Sequence, residues 1–96
     1  MDMYKMIEAK KDDILRIAAK HGALNVRVIG STARREASSE SDIDLLVELE
    51  LGRTLLDHAA LILELQEFLG RKVDVASDRG LRARVRDRVL EEAVPL

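Results

Sequence analysis

The sequence contains no cysteine, no tryptophan and a single proline. Without cysteine it can form no disulfide, thiolate metal site or cysteine nucleophile. One tyrosine and one phenylalanine are its only aromatic residues, too few for the stacking platform of a single-strand nucleic-acid binder. No apolar run approaches the roughly 20 residues of a membrane span, and the charged start does not resemble a signal peptide. We therefore expect no contact with a membrane and a cytoplasmic address.

Neither sign of charge dominates the chain. Sixteen Lys and Arg against eighteen Asp and Glu give a net charge of −2, which argues against direct binding to nucleic acid. With 96 residues, the chain predicts a single domain over residues 1–96. A domain of this size can bury a modest core but has no room for a second substrate-binding lobe.

Two short aliphatic runs flank a polar loop in the first half of the chain. The first predicts a strand over residues 25–29, and the second predicts a strand over Ile43–Leu49 that is buried on both faces. Asp42 lies just before the second run, and Asp44 is its second residue. Both side chains point to the same face of the strand, and their Cα atoms are roughly 6.6 Å apart. Because two like charges repel, a divalent cation would stabilise them, and oxygen ligands of this kind suit Mg²⁺ shared with phosphates.

The first run leads into a glycine and a serine. Gly30 permits a sharp turn, and Ser31 offers a hydroxyl and backbone N–H groups to a phosphate where a helical turn begins. Arg34 could reach the same phosphates through its paired guanidinium donors. Arg35 is a weaker candidate for the same contact, since beside Glu36 it could form no more than a solvated surface pair. Residues 37–41 either cover the phosphates or only connect the two strands.

The remaining periodicity predicts helices and one more strand. Residues 3–20 predict one helix closed by Gly22. A helix over Leu55–Leu69 is apolar nearly all round, so its outer face lies in the core or, as we favour, against another subunit. Residues 73–76 predict a third strand. The fold class is therefore α/β, a small mixed sheet of at least three strands with helices packed against it.

The last predicted helix covers residues 81–92, capped by Ser77 and Asp78. It is rich in arginine. The arginines form either a solvated face with local acidic partners or a contact for an acidic partner or RNA. On the third strand, Asp74 alternates with two valines, so it is either an edge residue facing water or a functional carboxylate.

Gly-Ser followed by Asp-x-Asp resembles the signature of the DNA polymerase β-like nucleotidyltransferase superfamily. The longer segments at residues 30–37 and 41–47 resemble the minimal nucleotidyltransferase (MNT) family, and the similarity extends over nearly the whole chain, including residues 69–75 and 92–96. The resemblance implies a polymerase β-like core with a third carboxylate on a later strand, the position that Asp74 matches.

The resemblance also implies an activity. Asp42, Asp44 and Asp74 would hold Mg²⁺ at the triphosphate of ATP, with Asp74 also helping to take the acceptor proton, while Gly30, Ser31 and Arg34 bind the nucleotide. MNT proteins are commonly antitoxins of HEPN-family ribonuclease toxins, and members can transfer AMP to a tyrosine of the toxin. We therefore expect a hetero-oligomer with such a toxin, a homodimer also being possible.

Two alternatives remain open. The chain could be a catalytically idle antitoxin that acts by binding alone, although a pure binder has no need for three convergent carboxylates. It could also transfer a nucleotidyl group to a small molecule such as an aminoglycoside, although a chain this short does not enclose such a substrate by itself.

Overall fold

The computed structural model describes residues 3–37 and 41–96, which contain five helices, one 3₁₀ turn and four strands. The helices are α1 (Met3–Ala9), α2 (Lys11–Lys20), α3 (Gly30–Ala33), α4 (Leu55–Leu69) and α5 (Ala83–Glu92). The strands are β1 (Ala23–Ile29), β2 (Ile43–Leu49), β3 (Val73–Ser77) and β4 (Val94–Pro95). The 3₁₀ turn is Asp78–Gly80. The centre of the predicted phosphate-covering loop, residues 38–40, lies outside the described residues.

The four strands form one mixed sheet in the order β3-β2-β1-β4. β1 runs antiparallel to β2 and to β4, whereas β2 runs parallel to β3. Helix α4 makes the crossover that two parallel strands require. The predicted small mixed sheet with packed helices is confirmed, and β4 is an additional strand that local sequence pattern did not indicate.

Strand β2 occupies a central position and is buried on both faces, as its aliphatic run predicts. Ile43, Leu45 and Val47 point into the main core, and Leu46 is fully buried on the opposite face. Fully burying such a side chain contributes about 1.5–3 kcal/mol. β2 therefore holds the charged residues at its start in a fixed place.

The main core lies between one face of the sheet and the helices α1, α2 and α4. Each helix turns apolar residues at helical spacing towards the strands. These residues are Met3, Ile7, Ile14, Ile17, Ala18, Leu61, Leu65 and Leu69. The other face of the sheet is left to polar and charged side chains over much of its area.

The expectation of one helix over residues 3–20 was wrong, because the backbone breaks at Lys10. Lys10 has φ −104° and ψ 13°, and its ammonium lies 5.3 Å from the centre of the Phe68 ring of α4. The break thus coincides with a contact between distant segments that local periodicity does not reveal. Gly22 follows the end of α2 with φ +79°, as a C-terminal glycine should.

Helix α4 has the predicted bounds. Thr54 and Asp57 form a reciprocal capping box, in which Asp57 accepts a hydrogen bond from the Thr54 N–H at 2.8 Å. Gly70 ends the helix with φ +69°. The predicted additional apolar face is exposed in the single chain, since Leu55, Leu56 and Leu63 are 84%, 82% and 64% exposed.

The predicted start of the last helix was wrong. Ser77 caps the 3₁₀ turn by accepting a hydrogen bond from the Gly80 N–H at 3.2 Å, and Asp78 bonds Arg27 at 2.8 Å. Both residues are therefore engaged elsewhere, and α5 begins at Ala83 without a side-chain cap. None of the α5 residues is buried.

No helix in the described part of the chain has the length and apolar character needed to cross a membrane.

Candidate functional site

The turn after β1 lies directly against the start of β2. Ile29, the last residue of β1, pairs with Asp44 across the antiparallel ladder. Gly30 follows with φ +70°, and a Cβ atom there would lie 2.7 Å from Asp44 Oδ2. Glycine is therefore required twice, by the backbone conformation and by the close approach of the carboxylate.

Two of the predicted carboxylates are neighbours on parallel strands. Asp44 on β2 pairs in register with Asp74 on β3, which places their Cα atoms about 4.8 Å apart. Val73 and Val75 are buried in the core, so alternation turns Asp74 to the opposite face, where it is exposed. Asp42 stands two residues before Asp44 and is half-buried.

The three carboxylates repel one another. The pKa of Asp44 is raised, first because the group is partly buried and then because Asp74 and Asp42 add negative charge. The Asp42 Oδ2 atom lies 3.8 Å from the Lys72 ammonium, and both side chains lie at the protein surface. Sequence reasoning missed Lys72, although its position two residues before Asp74 was visible.

These residues suit a divalent cation by their chemistry. They offer only carboxylate oxygens, the hard ligands that Mg²⁺ and similar ions take, and the Gly30 backbone already packs against one of them. Within residues 3–37 and 41–96, no three acidic or histidine side chains stand ready as an assembled metal cluster. The structure therefore brings Asp44 and Asp74 together, with Asp42 held beside Lys72.

Helix α3 carries the predicted nucleotide-binding serine. Ser31 is half-buried, and its carbonyl accepts a hydrogen bond from the Glu36 N–H at 2.9 Å. Thr32 is 1% exposed, and its hydroxyl oxygen has no hydrogen-bond partner among the described residues. Sequence reasoning missed Thr32; its place directly after Gly30 and Ser31 was the only available signal.

Arg34 follows α3 and is held by two acidic side chains. Its Nε donates to Glu36 Oε2 and its Nη1 to Glu92 Oε2 of α5, both at 3.1 Å. The bonds to Glu36 and then Glu92 raise the pKa of Arg34, which is therefore always cationic. Arg35 instead packs its guanidinium 4.3 Å from the centre of the Tyr4 ring.

The model of the family described as "Nucleotidyltransferase domain" matches residues 11–96. The chain belongs to this family. It is accordingly a nucleotidyltransferase.

Two curated relatives are similar over most of their length. A protein of Methanocaldococcus jannaschii, named by inference a protein adenylyltransferase, is 44% identical over 84 residues, 88% of this chain and 90% of the relative. The protein adenylyltransferase MntA of Thermococcus cleftensis is 35% identical over 75 residues, 78% of this chain and 76% of the relative.

Solved structures share the fold. One, described as an inferred minimal nucleotidyltransferase, is 53% identical with a TM-score of 0.89 and covers 100% of this chain and 97% of its own. Another is a tri-AMPylated HEPN toxin of Shewanella oneidensis in complex with an MNT antitoxin, 19% identical with a TM-score of 0.68 over 97% of this chain and 71% of the other. The second likeness shows the fold alone. The resemblance to the minimal nucleotidyltransferase family is confirmed.

Replacing Gly30 tests its contact with Asp44. We expect Gly30→Ala to lose roughly 1–3 kcal/mol of unfolding free energy, because the methyl group adds a collision with the carboxylate to the strain of a positive φ. Gly52→Ala is the matched control, since Gly52 also has a positive φ (+89°) but a Cβ there meets nothing within 4 Å. Equal losses in urea denaturation would contradict the contact.

Removing the charge of Asp44 should stabilise the fold. A carboxylate whose pKa is raised on folding destabilises the native state when ionised, so Asp44→Asn should raise stability by roughly 0.5–1 kcal/mol at pH 7. The gain should vanish below about pH 3.9, where Asp44 is protonated in both states, and grow as pH rises through the higher native pKa. Paired thermal melts of the two proteins at several pH values measure this difference.

Proposed function

We propose that this chain is an antitoxin that transfers AMP from ATP to a tyrosine hydroxyl of a partner HEPN ribonuclease. The pairing of Asp44 with Asp74 beside the Gly30 turn is the observation that carries the proposal. The relatives named protein adenylyltransferase support the reaction, and the complex of an AMPylated HEPN toxin with an MNT antitoxin supports the acceptor. The assembly would be a hetero-oligomer.

Asp42, Asp44 and Asp74 would hold the Mg²⁺ ion. Bound there, the ion would neutralise the triphosphate and stabilise the attacking and leaving oxygens of an in-line displacement. Its charge would also offset the mutual repulsion of the three carboxylates and compete with Lys72 for Asp42. The Gly30–Ser31 turn would bind phosphate oxygens through backbone N–H groups and the Ser31 hydroxyl.

Asp74 would also help to take the proton from the acceptor hydroxyl. It is the most exposed of the three carboxylates and lies on the open face of the sheet, where a partner protein can approach. The tyrosine oxygen attacks the α-phosphorus of ATP, a new phosphorus–oxygen bond forms, and the bond to pyrophosphate breaks. The phenolic proton passes to the Asp74 carboxylate, which must lie within hydrogen-bond reach of it.

One assay tests the reaction. The chain is incubated with a candidate HEPN partner, ATP and Mg²⁺, and the mass of the HEPN protein is measured by mass spectrometry. We expect AMP to be added, and the rate to fall by about 10²–10³ when Asp42 and Asp44 are both changed to Asn, because the Mg²⁺ ion that would neutralise the phosphates loses two of its ligands. Removing Mg²⁺ with EDTA should stop the reaction and added Mg²⁺ should restore it.

The double variant Asp12→Asn, Asp87→Asn is the matched control, because it removes the same charge from exposed residues outside the site. It should retain the full rate. Neutralisation of the HEPN ribonuclease that survives in the Asp42, Asp44 variant, with no AMP added by the unaltered chain, would show that the protein acts by binding alone.

Arg34 generates a separate prediction. Before ATP arrives, Glu92 occupies part of the guanidinium that we assign to the phosphates. Glu92→Gln should therefore lower the KM for ATP by about two- to fivefold, since an exposed ion pair contributes roughly 0.2–1 kcal/mol, and leave kcat nearly unchanged. Glu91→Gln is the control, because the Glu91 side chain makes no hydrogen bond or ion pair with another described residue. A higher KM in Glu92→Gln would show instead that Glu92 positions Arg34 productively.

A further inference from the structure

Five arginine side chains around α5 have no acidic partner among the described residues. All five are exposed, and no side-chain hydrogen bond or ion pair joins any of them to the rest of residues 3–37 and 41–96. They are Arg79, Arg82, Arg84, Arg86 and Arg88. The arginines therefore form the solvated face that one sequence-based alternative expected, but without the local pairs to acidic residues of the same helix, and the positive charge is left facing solvent.

Two of these arginines line a cleft. It has a volume of about 330 Å³ and lies where β2 and β3 end, with Arg79 and Arg86 in its wall. Glu50, also in the wall, is paired with Arg53 at 3.3 Å. Asp78 is likewise paired, with Arg27 at 2.8 Å. Only one acidic residue of the wall is left to oppose the two free arginines, so the cleft favours an anionic group.

One exposed leucine lines the same cleft, and two more follow it closely in the chain. Leu51 lines it and is 82% exposed, and the turn that carries Leu51 leads into the first residues of α4, Leu55 and Leu56, which are 84% and 82% exposed. Three leucines so exposed within six residues differ from the singly scattered apolar residues of an ordinary surface. Aliphatic side chains beside unpaired arginines are the composition of a protein interface.

This surface is remote from the reacting groups. Asp44 stands near the start of β2 and the cleft at its end, about 16 Å away along the strand at 3.3 Å per residue. A partner bound at the cleft therefore leaves the carboxylates and the Gly30 turn accessible.

We propose that this leucine–arginine surface, made of Leu51, Leu55, Leu56, Arg79 and Arg86, docks an acidic, leucine-bearing segment of the protein that the enzyme modifies. The inference rests on the proposed function only in assigning a protein as the acceptor. RNA is the less suitable occupant, because the leucines offer it nothing and the two aromatic side chains, Tyr4 and Phe68, contact other parts of the molecule.

A peptide probe tests the surface without requiring catalysis. A fluorescein-labelled peptide of repeated Glu-Glu-Leu-Leu is titrated with the protein, and binding is followed by anisotropy. We expect binding that weakens about tenfold in the double variant R79E, R86E. The matched control is R84E, R88E, which has the same charge change on the opposite side of α5, two residues and about 200° away. It should bind within about twofold of the unaltered chain.

The apolar part has its own control. The double variant Leu55→Ser, Leu56→Ser should weaken peptide binding about fivefold or more. Leu90→Ser, which changes an exposed leucine on α5, should not weaken it. Binding should persist in the Asp42→Asn, Asp44→Asn protein. Failure of AMP transfer with intact peptide binding would thus overturn the proposed function and leave the docking surface standing.

Four results would overturn the docking surface. The first is equal affinity for a Lys-Lys-Leu-Leu peptide, and the second is equal weakening by R84E, R88E, since both indicate general charge effects. The third is tighter binding of a labelled poly(U) oligonucleotide that R79E, R86E abolishes, which would assign the surface to RNA. The fourth is a dimer of the unaltered chain in sedimentation that the double variant Leu55→Ser, Leu56→Ser does not form. That result would assign the surface to a second copy of the chain.

Discussion

The repulsion among three carboxylates is the constraint around which this small domain is built. Asp44 is half-buried, stands in register with Asp74 on the next strand and lies two residues from Asp42. An arrangement of like charges weakens a fold unless a cation offsets them. The strand that carries Asp44 tolerates the repulsion because four buried positions on either side of Asp44, residues 43 and 45–47, fix it in the sheet. The loss of stability is thus confined to the residues to which we assign the proposed phosphate transfer.

The two faces of the sheet have different roles. Helices α1, α2 and α4 cover one face and supply nearly all of the core, so the other face is free to carry the site. Arg27 pairs with Leu46 in the ladder and bonds Asp78 beyond β3, so its side chain crosses β2 and closes the middle of that face. The reacting groups lie on one side of this crossing and the leucine–arginine surface on the other.

Elements with strong local signals were predictable from sequence, and contacts between distant segments were not. The bounds of β2 and α4 follow from aliphatic runs, a capping box and a closing glycine. The contact between Gly30 and Asp44 depends on the register of β1 with β2, which no local pattern determines. For the same reason Asp74 was assigned through family resemblance, whereas Thr32, Lys72 and the bond from Arg34 to Glu92 were found only once the segments were packed together.

The size of the domain is consistent with the proposed protein acceptor. One layer of helices on one face leaves α5 without a buried residue and leaves leucines of α4 exposed, so the described part of the chain provides no wall to enclose a small acceptor. A protein acceptor would enclose the site with its own surface and exclude water from the carboxylates as it docks. Contacts at the leucine–arginine surface would then supply the affinity, and the three carboxylates would act on whichever hydroxyl the docked partner presents.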